Sequence, residues 1–144
     1  MTDRMDAEPQ RHLGYLIRRA QQRHVSTWAR VASTETTSVQ YAILAVLDRL
    51  GEASQRELCD EVDLDRSTVA DLLARMERRD LVARRRAAGD ARRNVVTLTA
   101  AGLAERRRLG PLVERVQREL VEGMSDDEAA RLEVGLRALL AAGA

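Results

Sequence analysis

Lysine and phenylalanine are absent from this chain, cysteine and tryptophan occur once each, and proline occurs twice. Aromatic residues make up only 2% of it, so the 44% that is hydrophobic is carried by Leu, Val and Ala. Such aliphatic side chains predict a core of packed helices and argue against an all-β fold. A single Cys59 excludes an intrachain disulfide framework, and it forms no metal-ligand spacing with His12 and His24, so no metal is expected. The same three residues supply no nucleophile and base pair, and neither catalysis nor a cofactor is expected. No apolar run approaches the roughly 18 residues of a membrane span. The polar N-terminus does not read as a signal segment, which predicts a soluble, cytoplasmic protein without a membrane partner.

What is abundant is charge of both signs. All 24 basic residues are Arg, set against 23 acids, for a net charge of +1. The balance hides an uneven distribution: residues 66–93 hold nine Arg and four acids, while residues 1–65 and 94–144 are each slightly acidic. A local basic island predicts a polyanion partner more strongly than the net charge does. The 144 residues fit one domain, and no repeat, low-complexity tract or linker divides them.

Along the chain, Pro9 precedes a segment in which Leu13, Ile17, Ala20, His24 and Trp28 recur at helical steps. Thr37 with Gln40 reads as a capping box for a second helix, with Val39, Ile43, Val46, Leu47 and Leu50 inward and Gly51 as its stop. Ser54 with Glu57 opens a short third helix that turns Leu58 and Val62 inward. Asp65 caps a fourth helix with Val69, Leu72, Leu73 and Met76 inward. Two strands, Val82 to Arg86 and Asn94 to Leu98, flank a loop from Ala87 to Ala91. Thr99 caps a long fifth helix that Gly110-Pro111 should kink, with Leu109, Leu112, Val113, Val116 and Leu120 on one face. Ser125 with Glu128 opens a sixth, striped by Leu132, Leu136, Leu139 and Leu140. The predicted fold is mainly α with a small β-hairpin, in the order ααααββαα.

Two short helices, the second capped at its start and followed by a hairpin, are the arrangement that puts a helix N-terminus into a DNA major groove. Steps of 100° place Ser67, Asp71, Ala74 and Arg78 opposite the buried stripe, with Arg66, Thr68 and Arg75 on its flanks. Arg66 can present its fork to guanine, Ser67 and Thr68 can bond base edges or phosphate, and Arg75 and Arg78 suit phosphate. Asp71, four residues before Arg75, reads as the holder of that guanidinium or as an acceptor from cytosine. Ser54 and Gln55, at the head of the preceding helix, complete the helical part of the expected DNA-binding set. The hairpin adds Arg84 and Arg86 with Asp90, Arg92 and Arg93 at its tip, where an Arg can enter a narrow minor groove. Taken alone, such a loop reads first as a solvated surface; joined to the capped helix pair, it reads as a wing.

The run from Asp90 to Gly102, Asp90-Ala91-Arg92-Arg93-Asn94-Val95-Val96-Thr97-Leu98-Thr99-Ala100-Ala101-Gly102, resembles the wing and exit of the MarR family. Asp65-Arg66-Ser67-Thr68-Val69 and Leu81-Val82 are similar to that family's recognition helix and wing entry. The resemblance implies a winged helix-turn-helix lobe over about residues 36–99 and dimerisation helices over about 10–32 and 100–142. It also implies a two-fold dimer on an inverted repeat in double-stranded DNA, with Asp90 steadying the wing and Arg92 in the minor groove. The usual outcome is repression relieved by a small ligand.

The family's ligands enter a cleft lined by helix one, which here carries Arg18, Gln22, His24 and Trp28. A fixed cation, a titratable donor and a flat aromatic suit a phenolic or aromatic carboxylate, or its CoA thioester. This helix is similar to that of members sensing phenolic acids, and the regulated genes would serve aromatic-acid catabolism or efflux. The alternative for these residues is dimer core for His24 and Trp28 and a surface ion pair for Arg18. Thiol sensing through Cys59 is a further alternative, although a lone helical cysteine beside Leu58 reads first as a small buried hydrophobe. A rival for the whole chain is a winged-helix protein that binds DNA nonspecifically or docks on another protein.

Overall fold

The structure is a computed structural model that describes residues 4–143; of Ala87 and residues 90–93 only the backbone is described. After a 3-10 turn at Arg4–Asp6, the helices are α1 Leu13–Val31, α2 Ser38–Leu50, α3 Gln55–Val62, α4 Arg66–Arg78, α5 Ala100–Leu120 and α6 Asp126–Ala142. The strands are β1 Glu52–Ser54, β2 Val82–Ala87 and β3 Asp90–Leu98, in one antiparallel sheet of order β1-β3-β2. The expected helices and hairpin are present. The third strand was not expected: Glu52-Ala53-Ser54 carries no β-branched residue and pairs only because Ala53 lies opposite Val96.

Helix starts follow the caps. Thr37 Oγ1 accepts from the Gln40 N–H at 3.1 Å while the Gln40 side chain accepts from the Thr37 N–H at 3.1 Å, which satisfies two orphan donors of α2. Ser54, Asp65, Thr99 and Ser125 each accept from a backbone N–H three residues on. Gly51 ends α2 at φ 82°, a conformation natural to glycine. The hairpin is tighter than expected, because the strands extend to Ala87 and from Asp90 and leave Ala88-Gly89 as the turn, with a bulge between Arg86 and Ala87. Gly89, at φ 83°, makes so short a reversal feasible. Helix α5 continues from Ala100 to Leu120 with Pro111 inside it.

The apolar side chains form two buried clusters. One joins Ile43, Leu44 and Leu47 of α2, Leu58 and Cys59 of α3, Val69, Leu73 and Met76 of α4, and Val82 and Val96 of the sheet. The other joins Trp28 of α1 and its C-cap residue Ala32 to Leu109 and Val116 of α5. Each fully buried Leu, Ile or Val contributes about 1.5–3 kcal/mol, so the first cluster is the stronger. Val39 and Leu50, expected inward, are exposed, and Leu44 and Gln40 are buried in their place: the buried face of α2 is rotated by about one residue from the one read. Cys59 is a free, buried thiol within the first cluster.

A close approach joins the two regions. The Thr99 N–H donates to the Leu81 carbonyl at 3.1 Å, and that oxygen would lie 1.9 Å from a Cβ placed on Gly102 in the first turn of α5. Only glycine fits. Alanine normally stabilises a helix over glycine by about 1 kcal/mol, yet Gly102→Ala is expected to lower stability by about 2 kcal/mol through overpacking. Thermal unfolding reads the difference, and an unchanged or raised Tm would contradict the packing described.

Candidate nucleic-acid interface

The α3–α4 pair is a helix-turn-helix. Its turn is made at Asp63, which adopts the left-handed conformation at φ 53°, and the Leu64 N–H closes it on the Cys59 carbonyl at 3.2 Å. Asp65 then organises the first turn of α4: its carboxylate accepts from the Thr68 N–H at 2.7 Å, the Ser67 hydroxyl at 2.8 Å and the Thr68 hydroxyl at 3.0 Å. These bonds, the Thr68 N–H first and the Ser67 hydroxyl second, hold the carboxyl below its ordinary value of 3.8. The Gln55 side chain donates to the Arg66 carbonyl at 3.4 Å and ties the head of α3 to the same turn.

Arg66, Ser67, Thr68, Asp71, Arg75 and Arg78 are all exposed. Ser67 and Thr68 donate their hydroxyl protons to Asp65, so their oxygens remain acceptors, ready to rotate towards a nucleic-acid partner. Asp71 stands 3.3 Å from Arg75, the pairing its spacing suggests. Ser54, included in the expected DNA set, is half-buried, and its oxygen caps α3.

The basic island is smaller in space than in sequence. Arg84 lies 3.2 Å from Glu77 within the island, while Arg85 pairs with Glu52 and Arg79 with Glu105, acids from outside it, so part of its charge is neutralised. Arg84, expected at DNA, is also half-buried beside an open groove of about 690 Å³ that it lines with Glu77, Asp80 and Arg86. Arg66, Arg78 and Arg86 have no acid partner among the described residues. The side chains of Asp90, Arg92 and Arg93, the expected wing tip, lie outside the described residues.

Of the helix-one set, the structure brings two together. Trp28 is 6% exposed, donates its indole N–H to the Thr36 carbonyl at 2.7 Å, and meets His24 edge-on with ring centroids 6.2 Å apart. Tyr41 packs on its other side at 5.8 Å. Arg18 instead stacks over Tyr15 at 5.1 Å on an exposed stretch of α1, and Gln22 is exposed. Sequence reading did not single out Tyr41, which packs on Trp28, or Arg79 and Glu105, which bond to Thr36; of this group only Thr36, just ahead of the α2 cap, left a local trace.

A helix-turn-helix followed at once by a hairpin that pairs with a strand ahead of it, carried on long helices, defines a winged helix-turn-helix protein. The chain belongs to the MarR family, whose pattern matches residues 35–93. The transcriptional regulator PcaV of Streptomyces coelicolor, solved in complex with its natural ligand, is 38% identical, with a TM-score of 0.87 over 92% of this chain and 94% of that one. BpsR of Bordetella bronchiseptica, whose DNA binding is regulated by 6-hydroxynicotinic acid, is 28% identical, with a TM-score of 0.80 over 88% of this chain and 97% of that one. The transcriptional repressor NicR of Pseudomonas putida is 34% identical over 64% of this chain; the match spans 59% of that repressor's length. The chain is thus a MarR-family transcriptional regulator and not an enzyme. Among the described residues, no helix is long and apolar enough to cross a membrane.

The Asp65 cap gives a pH signature. Its folded pKa lies below 3.8, so the stability the carboxylate adds is fully present above that value and is lost as pH falls through the folded pKa. Asp65→Asn retains a capping oxygen without the charge. The variant is expected to unfold at a lower temperature than wild type at pH 7, with the gap closing as pH drops below 3.8. A gap that stays constant from pH 7 to pH 3 would rule out the carboxylate as the source.

Proposed function

We propose that this regulator is a dimeric, sequence-specific repressor that holds a pseudo-palindromic operator and releases it when a phenolic or aromatic carboxylate, or its CoA thioester, binds. The observation that carries the DNA half is the first turn of α4, where Asp65 fixes an exposed Arg66, Ser67 and Thr68 on a helix N-terminus. Arg66, without an acid partner among the described residues, reads guanine; Arg75 and Arg78 contact phosphate. From the sequence pattern, Arg92 is assigned to the minor groove, with Asp90 and Arg93 beside it. Residues 36–99 form the DNA-binding lobe of the single domain, and helices over residues 10–32 and 100–142 form the dimer.

The dimer reading rests on faces that one chain leaves open. Helix α6 buries none of its residues and exposes Leu132, Val134, Leu136, Leu139 and Leu140; α1 exposes Leu13, Leu16, Ile17 and Val25. Apolar stripes of that extent cover one another in a two-fold pair. The effector reading rests on His24 against Trp28 and on the hydroxylated aromatic acid that acts on BpsR. Arg18 clamps the carboxylate, because stacking on Tyr15 leaves its edge donors open; Gln22 stands a turn away, His24 meets a ring hydroxyl and Trp28 walls the ring. The regulated genes are those of aromatic-acid catabolism or efflux.

Footprinting is expected to protect an inverted repeat with half-sites about one helical turn apart. Arg66→Ala should weaken binding by about 1–3 kcal/mol and relax preference at one base pair of each half-site; equal loss on every sequence would remove it from base readout. Hydroxybenzoates or hydroxycinnamates should weaken operator binding in wild type and not in Arg18→Ala. The effector reading fails if none of these acids or their thioesters changes DNA affinity.

A further inference from the structure

A densely bonded polar group lies away from the recognition face of α4. It joins four segments: Trp28 of α1, Glu35 and Thr36 of the loop before α2, Arg79 at the end of α4, and Glu105 of α5. Arg79 is the C-cap residue of α4, its N–H returning to the Arg75 carbonyl. Its guanidinium donates to the Glu35 carbonyl at 3.1 Å and to the Thr36 hydroxyl at 3.0 Å, and stands 3.5 Å from the Glu105 carboxylate. The Thr36 hydroxyl passes its own proton to Glu105 at 3.1 Å, and the Thr36 carbonyl takes the Trp28 indole N–H at 2.7 Å. Thr36 is fully buried, and the Ser33 hydroxyl pins its N–H at 2.9 Å.

We infer that Arg79 is a positioning residue for the recognition helix and that Thr36 relays the state of Trp28 to it. This inference rests on the proposed DNA and effector reading and names how one site regulates the other. A buried hydroxyl that accepts from Arg79 and donates to Glu105 cannot drift from either partner without leaving a polar group unpaired. Displacement of the Trp28 ring therefore moves the Thr36 carbonyl, and with it the anchor of the α4 C-terminus. Helix α4 has 13 residues and is a rod of about 20 Å, so a shift at Arg79 is delivered to Arg66 at its other end. Linkage requires the reverse as well: DNA that holds α4 must change the surroundings of Trp28.

Trp28 is the only tryptophan in the chain, so its fluorescence reads the relay directly. The full chain is titrated with a duplex that it has selected from a randomised pool, with and without 3,4-dihydroxybenzoate. In wild type the duplex is expected to change Trp28 emission, and the acid to weaken DNA binding at least tenfold. Arg79→Gln and Glu105→Gln, checked for folding by thermal melts, should still bind the acid, lose at least half of the DNA-induced emission change, and cut the acid's effect on DNA affinity to under threefold. Arg79→Lys should restore part of both. A folded Glu105→Gln protein that no longer binds the duplex also supports the role, because neutralising an acid would otherwise favour binding to a polyanion. The relay is overturned if the duplex leaves wild-type Trp28 emission unchanged, or changes it equally in wild type and both glutamine variants. If the acid alters neither emission nor DNA affinity in wild type, the effector reading falls, and the DNA-induced signal still decides the relay.

Discussion

Burial of Thr36 is the constraint on which the relation between the two halves of the molecule depends. Apolar burial is non-directional and holds surfaces together without fixing their angle closely. The two hydrophobic clusters would leave the α3–α4 lobe some freedom against α1 and α5. A buried threonine whose N–H, hydroxyl and carbonyl are each claimed by a different segment removes it, because every bond has a distance and a direction to keep. The Gly102–Leu81 contact fixes the same relation just beyond the same end of α4, where no side chain fits between α5 and the chain entering β2. The recognition helix is thus aimed by polar geometry and by a missing methyl group, while the aliphatic core supplies the stability.

Charge obeys the same division. Nine arginines between residues 66 and 93 form a strongly basic stretch on paper, but the fold brings Glu52 and Glu105 to the ones that are needed for structure. Those arginines act as cross-links between elements. The ones without an acid partner among the described residues, Arg66 and Arg78 on α4 and Arg86 on β2, lie on the capped helix and the wing. A polyanion therefore meets a few placed cations and not a diffuse basic surface, which favours orientation over bulk affinity.

How much of this was legible in the sequence follows from the range of each interaction. Capping boxes act over three residues, so Thr37, Ser54, Asp65, Thr99 and Ser125 marked the helix starts, and the Asp71–Arg75 pair sits one helical turn apart. Strand β1 was illegible because its three residues have no strand preference and exist as a strand only opposite Val95, Val96 and Thr97. The exposure of Val39 and Leu50 was illegible for a related reason: apolar residues surround much of α2, and which of them turn inward is decided by α5 and the sheet. Arg79 was read only as one more positive charge. Its partners Glu105, Thr36 and Glu35 lie 26, 43 and 44 residues away, beyond the reach of any periodicity.

One apolar stripe that the sequence marks plainly is left uncovered by the folded chain. Leu132, Leu136, Leu139 and Leu140 follow helical spacing, yet α6 buries nothing, and the first half of α1 behaves in the same way. Helical periodicity reports that a face will be covered, not that its own chain will cover it. In the proposed dimer a second copy does so, and the consequence reaches the effector residues. Trp28 and His24 sit where α1 passes from the exposed half to the half packed on α5, and Arg18 lies wholly in the exposed half. A ligand that touches all three spans the boundary between what one chain completes and what two chains complete. Its occupancy is then sensitive to the seating of the partner, and Thr36, bonded to Trp28 at that boundary, is the point from which such a change would reach α4.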